Sequence, residues 1–115
     1  MRGLMMKVSE EVIDEMARQI VRTVDPERIV LFGSRARGEG NDSSDVDFLV
    51  VEREPFGEDR SRRQEAARIW RCLSGFRVPK DILVYSVSEM AQWKDSAHHV
   101  IARALREGRV LYESA

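Results

Sequence analysis

The chain has 115 residues, of which 43% are hydrophobic and 34% charged. This length suits one folded unit, so residues 1–115 are expected to form a single domain. The 19 basic and 20 acidic residues nearly cancel, so there is no strong signal for nucleic-acid binding, and no apolar run approaches the roughly 18 to 20 residues of a membrane span. Residues 1–7 are too short in apolar length for a secretory signal, and the single Cys72 excludes an intramolecular disulfide. We therefore expect a cytoplasmic protein.

The first half of the chain predicts one helix and two strands. Ser9 is a suitable N-cap for a helix with a hydrophobic stripe, and the pair Asp25-Pro26 is expected to end that helix. Residues 28–32 read as a short buried strand that runs into Gly33. Further on, residues 34–38 are compatible with the start of a short helix, residues 39–44 with an exposed loop, and residues 45–51 with a second strand.

The second half predicts a helix over residues 59–73, a third strand over 80–85, a short helix near 89–93 and a longer helix over 96–107. The inner face of the first of these helices is expected to carry Ala66, Ile69, Trp70 and Leu73. Gly108 suits the C-cap of the last helix, and residues 110–112 could form a final strand or an extended tail. These elements predict an α/β (α+β) fold, with a small sheet of three to four strands flanked by helices.

Two carboxylates lie one residue apart on the predicted second strand. Strand side chains alternate between faces, so Asp45 and Asp47 project from the same side with Cα atoms about 6.5–7 Å apart. Two carboxylates about 5 Å apart repel by roughly 3 kcal/mol at an effective dielectric constant of about 20. A divalent cation removes this repulsion, and Mg²⁺ typically binds through one or two carboxylates plus substrate phosphates. The pair therefore indicates metal-assisted phosphoryl or nucleotidyl transfer.

A small-residue turn precedes these carboxylates. Gly33 permits close approach of the backbone, and Ser34 can present its hydroxyl and amide to a nucleotide phosphate. Arg35 and Arg37 flank the turn and could stabilise phosphate charge. The segment is not a Walker A loop, because Glu39 stands where that motif requires lysine.

The motif Gly33-Ser34, ten intervening residues and then Asp45-Val46-Asp47 resembles the signature of the minimal nucleotidyltransferases in the DNA polymerase beta superfamily. Residues 78–85 resemble that family's third-carboxylate strand, with Asp81 in the acidic position. The resemblance implies a polymerase-beta-like nucleotidyltransferase core. It further implies that Asp45, Asp47 and Asp81 hold two Mg²⁺ ions, and that Asp81 accepts the proton of the attacking hydroxyl.

The closing segment, residues 104–113, is similar to the end of family members that act as antitoxins beside a helical HEPN toxin. This resemblance implies transfer of AMP from ATP to a hydroxyl of such a partner, with a toxin tyrosine as the favoured acceptor. Two alternatives remain: an antitoxin that acts by occlusion without catalysis, and a transferase for a small molecule such as an aminoglycoside. Homo-oligomerisation is left open.

The remaining charged and aromatic residues are interpreted structurally. The arginines of residues 60–71 and 103–109 are expected to form solvated helix faces, with a docking surface for an acidic partner as the alternative. Adjacent His98 and His99 would point about 100° apart on a helix, so they do not form a pair of metal ligands. Trp70, Trp93 and Tyr112 are expected to anchor a core or an interface.

Overall fold

The computed structural model describes residues 8–38, 45–96 and 98–114, so the loop predicted over residues 39–44 lies outside the described residues. The elements occur in the order α1 (Glu10–Val24), β1 (Arg28–Phe32), β2 (Val46–Glu52), α2 (Arg62–Cys72), β3 (Lys80–Ser86), α3 (Val87–Trp93), α4 (Val100–Glu107) and β4 (Arg109–Glu113). The predicted α/β class is confirmed.

The four strands form one mixed sheet in the order β3-β2-β1-β4. Strand β1 pairs antiparallel with both β2 and β4, whereas β2 and β3 are parallel. The parallel pair requires a crossover connection, which α2 provides. Residues 110–112, for which a strand and a tail were both considered, belong to strand β4 at one edge of the sheet.

The two faces of the sheet are covered unequally. The larger core joins α1 and α2 to one face through buried residues that include Met16, Ile20, Phe48 and Ile69. The smaller core lies on the other face, where Ala104 of α4 packs against Val30, Leu49 and Val51. Residues two apart on a strand share a face, so Asp47 lies on the same face as Leu49 and Val51. The candidate carboxylates thus belong to the less filled side of the sheet.

Helix α1 begins and ends where the sequence predicts. The Ser9 side chain accepts a hydrogen bond from the Val12 N–H, and Glu10 and Glu11 occupy the favourable first turn. At the other end Asp25 adopts a left-handed conformation with φ 47°, and its N–H donates to the Val21 carbonyl. Pro26 follows, which fits the rule that proline stands just beyond a helix end.

Helix α2 is shorter than predicted and presents a different face. It starts at Arg62 rather than at residue 59, because Ser61 caps it and the preceding residues form an isolated bridge between Gly57 and Arg60. Ile69 and Leu73 are buried as expected, but Trp70 is 42% exposed, so its placement on the inner face was wrong. One residue corresponds to about 100° of helix, which turns Trp70 away from the face that Ile69 buries.

The last helix also starts later than predicted. Residues 96–99 were assigned to it, but α4 begins at Val100 because the His99 ring caps the helix: Nδ1 accepts from the Ile101 N–H at 3.1 Å. The same ring stacks on Trp93 with centroids 4.5 Å apart. His99 therefore has the structural role that was expected.

The arginines of residues 60–71 are not simply a solvated face. Arg60 forms ion pairs with Glu52 and Glu65, and Arg62 forms one with Glu89. These pairs join α2 to the ends of β2 and α3, so they belong to the fold. No helix within the described ranges is both long and apolar enough to cross a bilayer.

Candidate active site

Two of the three predicted carboxylates stand opposite each other in the sheet. Asp47 of β2 is in direct register with Asp81 of β3, and adjacent strands lie about 4.8 Å apart. Paired residues of parallel strands project from the same face, so the two carboxylates point to the same side. Asp45 lies immediately before β2 and is exposed. The three acidic residues therefore lie at the same end of the sheet, where β2 and β3 begin.

The predicted phosphate-binding turn touches this group. Phe32, the last residue of β1, is in register with Asp47, and Gly33 follows it. A Cβ atom placed on Gly33 would lie 2.2 Å from Asp47 Oδ2, far inside contact distance. Gly33 also has φ +77°, a conformation that only glycine adopts without strain. The carboxylate thus rests against the backbone of the turn, and only glycine leaves room for it.

The segment after Gly33 is a series of turns rather than a helix. The N–H groups of Ala36 and Arg37 donate to the Gly33 carbonyl at 3.1 and 3.3 Å, and the Gly38 N–H donates to the Arg35 carbonyl. Gly38 has φ +76°, which is incompatible with a continuing helix. The compatibility of residues 34–38 with a helix start was therefore misleading, and Ser34 lies in a compact turn beside Asp47.

Like charges shape the protonation of Asp47. The pKa of Asp47 is raised from 3.8 to about 6, first by burial and then by the neighbouring carboxylates of Asp81 and Asp45. The guanidinium groups of Arg35 and Arg37 act in the opposite direction and lower it. The other four charged residues predicted for the site are therefore close enough to influence this one carboxylate. Such a cluster favours the binding of a cation or of a polyanion that carries one.

Arg37 connects the turn to the last helix. Its Nη1 donates to Glu107 Oε1 at 2.8 Å. A cavity of about 210 Å³ lies between the turn and α4, and it is lined by Phe32, Gly33, Arg37, Val100, Arg103, Ala104 and Glu107. A larger hollow of about 550 Å³ runs along α2 around Arg60 and Arg71. It lies beside the opposite end of β2, where Arg60 meets Glu52, so it is not part of this site.

Glu107 was missed as a member of the site. Seventy residues separate it from Arg37, and on the sequence it reads as one more charge at a helix end. No spacing rule predicts such a contact. The only available signal was the resemblance of the closing segment to the end of the minimal nucleotidyltransferases.

The donor set at this site suits a hard cation, because all three candidate ligands, Asp45, Asp47 and Asp81, offer carboxylate oxygens. Within residues 8–38, 45–96 and 98–114, no three carboxylate, histidine or cysteine side chains are already gathered as a metal-binding group. The arrangement fits an ion held by one or two carboxylates with its remaining ligands from elsewhere.

Solved structures of known proteins share this fold. A candidate nucleotidyltransferase from Sulfolobus solfataricus matches with a TM-score of 0.62 at 20% identity, over 90% of this chain and 78% of that one. A toxin–antitoxin complex with AMP-PNP matches with a TM-score of 0.57 at 20% identity, over 88% and 73% of the two chains. A complex of a tri-AMPylated Shewanella oneidensis HEPN toxin with its MNT antitoxin gives a TM-score of 0.52 at 17% identity, over 92% and 74%.

Family membership rests on a separate comparison. No curated protein matches the sequence significantly. The family model described as "Nucleotidyltransferase domain" matches residues 11–111, which span the glycine-serine turn, all three carboxylates and the first three residues of β4. The chain belongs to the nucleotidyltransferase domain family.

Proposed function

We propose that residues 1–115 act as one Mg²⁺-dependent nucleotidyltransferase domain that transfers AMP from ATP to a hydroxyl group of a partner protein. The favoured partner is a HEPN toxin, which AMPylation would silence, so the protein would serve as an antitoxin. One observation carries the proposal: Asp47 lies in register with Asp81 and against the backbone of the Gly33 turn. The acidic residues and the proposed phosphate-binding turn are therefore adjacent.

The reaction needs few groups. The acceptor hydroxyl oxygen attacks the α-phosphorus of ATP, a new P–O bond forms, and the bond to the β-phosphate bridging oxygen breaks to release pyrophosphate. Asp81 is exposed at the start of β3, where it can accept the hydroxyl proton. Mg²⁺ bound by Asp45, Asp47 and Asp81 together with the phosphates would offset the charge that develops on the phosphate oxygens.

The remaining residues bind and orient. Gly33 lets the backbone approach the triphosphate, and Ser34 offers a hydroxyl within the same turn. Arg35 and Arg37 are close enough to Asp47 to act on its pKa, so their charges also reach phosphates bound beside it. Asp45, Asp47 and Asp81 would hold two Mg²⁺ ions, which would supply positive charge to the triphosphate.

The choice of acceptor is supported by two structures of similar fold. One is a toxin–antitoxin complex with AMP-PNP, and the other pairs an MNT antitoxin with a tri-AMPylated HEPN toxin. They support both the nucleotide and the protein acceptor for this chain. The shallow site is consistent with this choice, because the cavity beside Gly33 measures only about 210 Å³ and a partner would supply the rest of the acceptor pocket.

The test uses the product of the neighbouring gene, which we expect to be a HEPN toxin. The two proteins are incubated with ATP and Mg²⁺, the mixture is denatured, and the intact mass of the toxin is measured. We expect the toxin to gain the mass of one or more AMP groups. The Asp45→Asn/Asp47→Asn protein should leave the toxin mass unchanged, because it lacks two of the three proposed ligands.

The same experiment separates the alternatives. If the toxin loses activity at unchanged mass, and the Asp45→Asn/Asp47→Asn protein silences it equally well, then the protein is a binding antitoxin that acts by occlusion. If no protein gains mass while an aminoglycoside does, the acceptor is a small molecule. A matched control, Glu15→Gln on α1, changes an exposed carboxylate on the opposite face of the sheet and should transfer AMP normally.

A further inference from the structure

Glu107 holds two arginines at once. Its Oε1 accepts from Arg37 Nη1 at 2.8 Å, and its Oε2 accepts from Arg103 Nε at 3.4 Å. Arg103 belongs to α4 itself, whereas Arg37 belongs to the turn after β1. The hydrogen bond from Arg37 holds the pKa of Glu107 below its usual range, so this carboxylate is ionised at neutral pH. Glu107 therefore links the last helix to the turn that contacts Asp47.

The backbone at Glu107 is firmly placed. The next residue, Gly108, has no room for a side chain: a Cβ there would lie 2.2 Å from the Ala104 carbonyl oxygen and 2.9 Å from the Leu31 carbonyl oxygen. Helix α4 therefore ends in direct contact with the backbone of β1, just before the Gly33 turn. Ala104, one turn earlier, is buried in the smaller core. A carboxylate carried by such a fixed helix end has a well-defined position.

Arg37 has the longer side chain of the pair, with more rotatable bonds. An arginine side chain loses rotamer entropy when it is held in one place. Its guanidinium is a planar fork of N–H donors, so the contact of Nη1 with Glu107 restricts the orientation of the whole group. The charge of Arg37 already reaches Asp47. An arginine held beforehand beside the carboxylates would meet an incoming triphosphate without paying this ordering cost at the moment of binding.

We propose that Glu107 is a positioning residue for nucleotide binding, which holds the Arg37 guanidinium at the edge of the cavity beside Gly33 so that it meets the phosphates of ATP. This inference rests on the proposed function. It adds a residue from the opposite end of the chain to the site, and it assigns a role to the closing segment.

Glu107 could instead act only through its negative charge, which would repel phosphate. The two roles predict different behaviour for Glu107→Gln and Glu107→Ala. Glutamine keeps the length and one acceptor oxygen, so it can still receive the Arg37 hydrogen bond, whereas alanine cannot. Positioning therefore predicts that alanine is harmful and that glutamine is much less so. Pure repulsion predicts that both variants bind nucleotide more tightly and to the same degree.

The experiment measures the Kd of Mg²⁺–α,β-methylene-ATP by calorimetry. In this analogue a methylene group replaces the oxygen between the α- and β-phosphates, so AMP cannot be transferred and pyrophosphate is not released. We expect Glu107→Ala to raise the Kd about 3- to 10-fold and Glu107→Gln to raise it less than about twofold. In the transfer reaction the KM for ATP should rise similarly while kcat stays within about twofold, because the contact is made before and during the reaction. Equal Kd values for all three proteins, or tighter binding by both variants, would overturn the inference.

A double-mutant cycle separates positioning from a structural role. In an Arg37→Met background, Glu107→Ala should change the Kd by less than about 1.5-fold, because the residue it positions is gone. An undiminished effect would mean that Glu107 supports the fold rather than Arg37.

The matched control is Glu15→Ala, since Glu15 also holds two arginines, Arg18 and Arg22, but does so on α1. Its Kd should equal that of the wild type. Failure of the wild type to bind the analogue or transfer AMP would reject the proposed function and this inference together. Normal wild-type transfer with an unaffected Glu107→Ala protein would reject the inference alone.

Discussion

Strand β2 carries an acid near each end, and the two differ in what faces them. Asp47 is paired in the sheet with Asp81, another acid, whereas Glu52 is paired with Ser86. Burial raises the pKa of both groups. Near Asp47 the adjacent carboxylates add to that effect, and two guanidinium groups only partly oppose it. Near Glu52 the carboxylate of Glu65 likewise raises the pKa and Arg60 lowers it. One strand thus holds one acid beside the Gly33 turn and another in an ion-pair network with α2.

The network around Glu52 is structural. Glu52 is 3% exposed, and Arg60 donates to it directly. Arg60 also donates to the Glu54 carbonyl at 2.8 Å, and its guanidinium lies 4.3 Å from the centre of the Phe56 ring. Here two acids, Glu52 and Glu65, share the single cation Arg60, which donates to both. Near Asp47 three acids lie beside two guanidinium groups and the Gly33 turn. A buried acid is therefore a poor sign of function by itself, and the groups that surround it decide its role.

The largest effect is expected at the carboxylate proposed to accept the hydroxyl proton. Asp81→Asn should lower kcat for AMP transfer by at least about 10²-fold, because the variant cannot accept the hydroxyl proton. The Kd for Mg²⁺–ATP should change much less. Transfer assays and calorimetry on the same protein check both statements. Near-normal turnover would remove Asp81 from the chemistry and leave β3 without a catalytic role.

The contact between the turn and the cluster can be tested with two glycines that have nearly the same backbone conformation. Gly33 and Gly38 have φ +77° and +76°, but of these two only a Cβ at Gly33 would meet another group among the described residues, Asp47 Oδ2. We expect Gly33→Ala to lower transfer about 10- to 100-fold by displacing that carboxylate. Gly38→Ala should stay within about threefold.

Both glycine variants share the backbone strain, which costs about 1 kcal/mol in each. The difference between them in urea denaturation and in transfer rate therefore reports the contact itself. Equal losses in the two variants would show that backbone conformation alone matters at Gly33, and that the carboxylate tolerates displacement.

The other end of β2 should respond in stability rather than activity. Arg60→Met leaves Glu52 and Glu65 together without their shared cation, so the free energy of unfolding should fall by about 2–3 kcal/mol. Transfer by the folded variant should stay within about twofold. Arg63→Met, at an exposed position of the same helix, is the matched control and should change stability by less than about 0.5 kcal/mol. A loss of transfer by folded Arg60→Met would contradict the assignment of Arg60 to the stability of the fold rather than to the reaction.

The smallest effect is a pH dependence at Asp47. The pKa of Asp47 is raised in the folded protein, from 3.8 to about 6. The favourable contribution of its protonated form to the stability of the fold is therefore fully present below about pH 4 and is lost as the pH rises through 6. Asp47→Asn lacks this loss. Above pH 7, without Mg²⁺, the variant should be more stable than the wild type by about 1–2 kcal/mol, and near pH 4 the advantage should vanish. Urea midpoints at the two pH values test this, and a difference that does not change with pH would contradict it.

Local patterns predicted the elements and the carboxylates, but not their partners. Strand β1 was predicted over residues 28–32 and is found at Arg28–Phe32, because a short apolar run before glycine has few alternatives. The spacing of Asp45 and Asp47 was informative because strand geometry determines which side chains share a face. These features depend only on neighbours along the chain.

The features that were missed depend on tertiary contacts. Trp70 was placed inside because it adjoins Ile69, although the helix turns it outward. The start of α4 depends on the His99 ring, whose capping is not evident from a helical pattern. The contacts of Glu107 with Arg37, and of Arg60 with Glu52, join residues on separate elements. No sequence periodicity relates the two members of such a pair. Sequence patterns therefore could not predict that Glu107 contacts Arg37 beside the Gly33 turn, or that Arg60 contacts Glu52 within the fold.

The strand order has a consequence for how the protein assembles during its synthesis. Strand β1 lies between β2 and β4, and residues 33–108 separate it from β4 along the chain. At roughly 5–20 residues per second, a nascent chain presents one side of β1 without its neighbour for about 4 to 15 s. All three carboxylates have emerged by then, whereas Glu107 and β4 arrive last. The pairing of β4 with β1 and the contact of Glu107 with Arg37 thus form at the same late stage. A chain that stalls before residue 107 has neither β4 at the sheet edge nor the Glu107 contact at the turn.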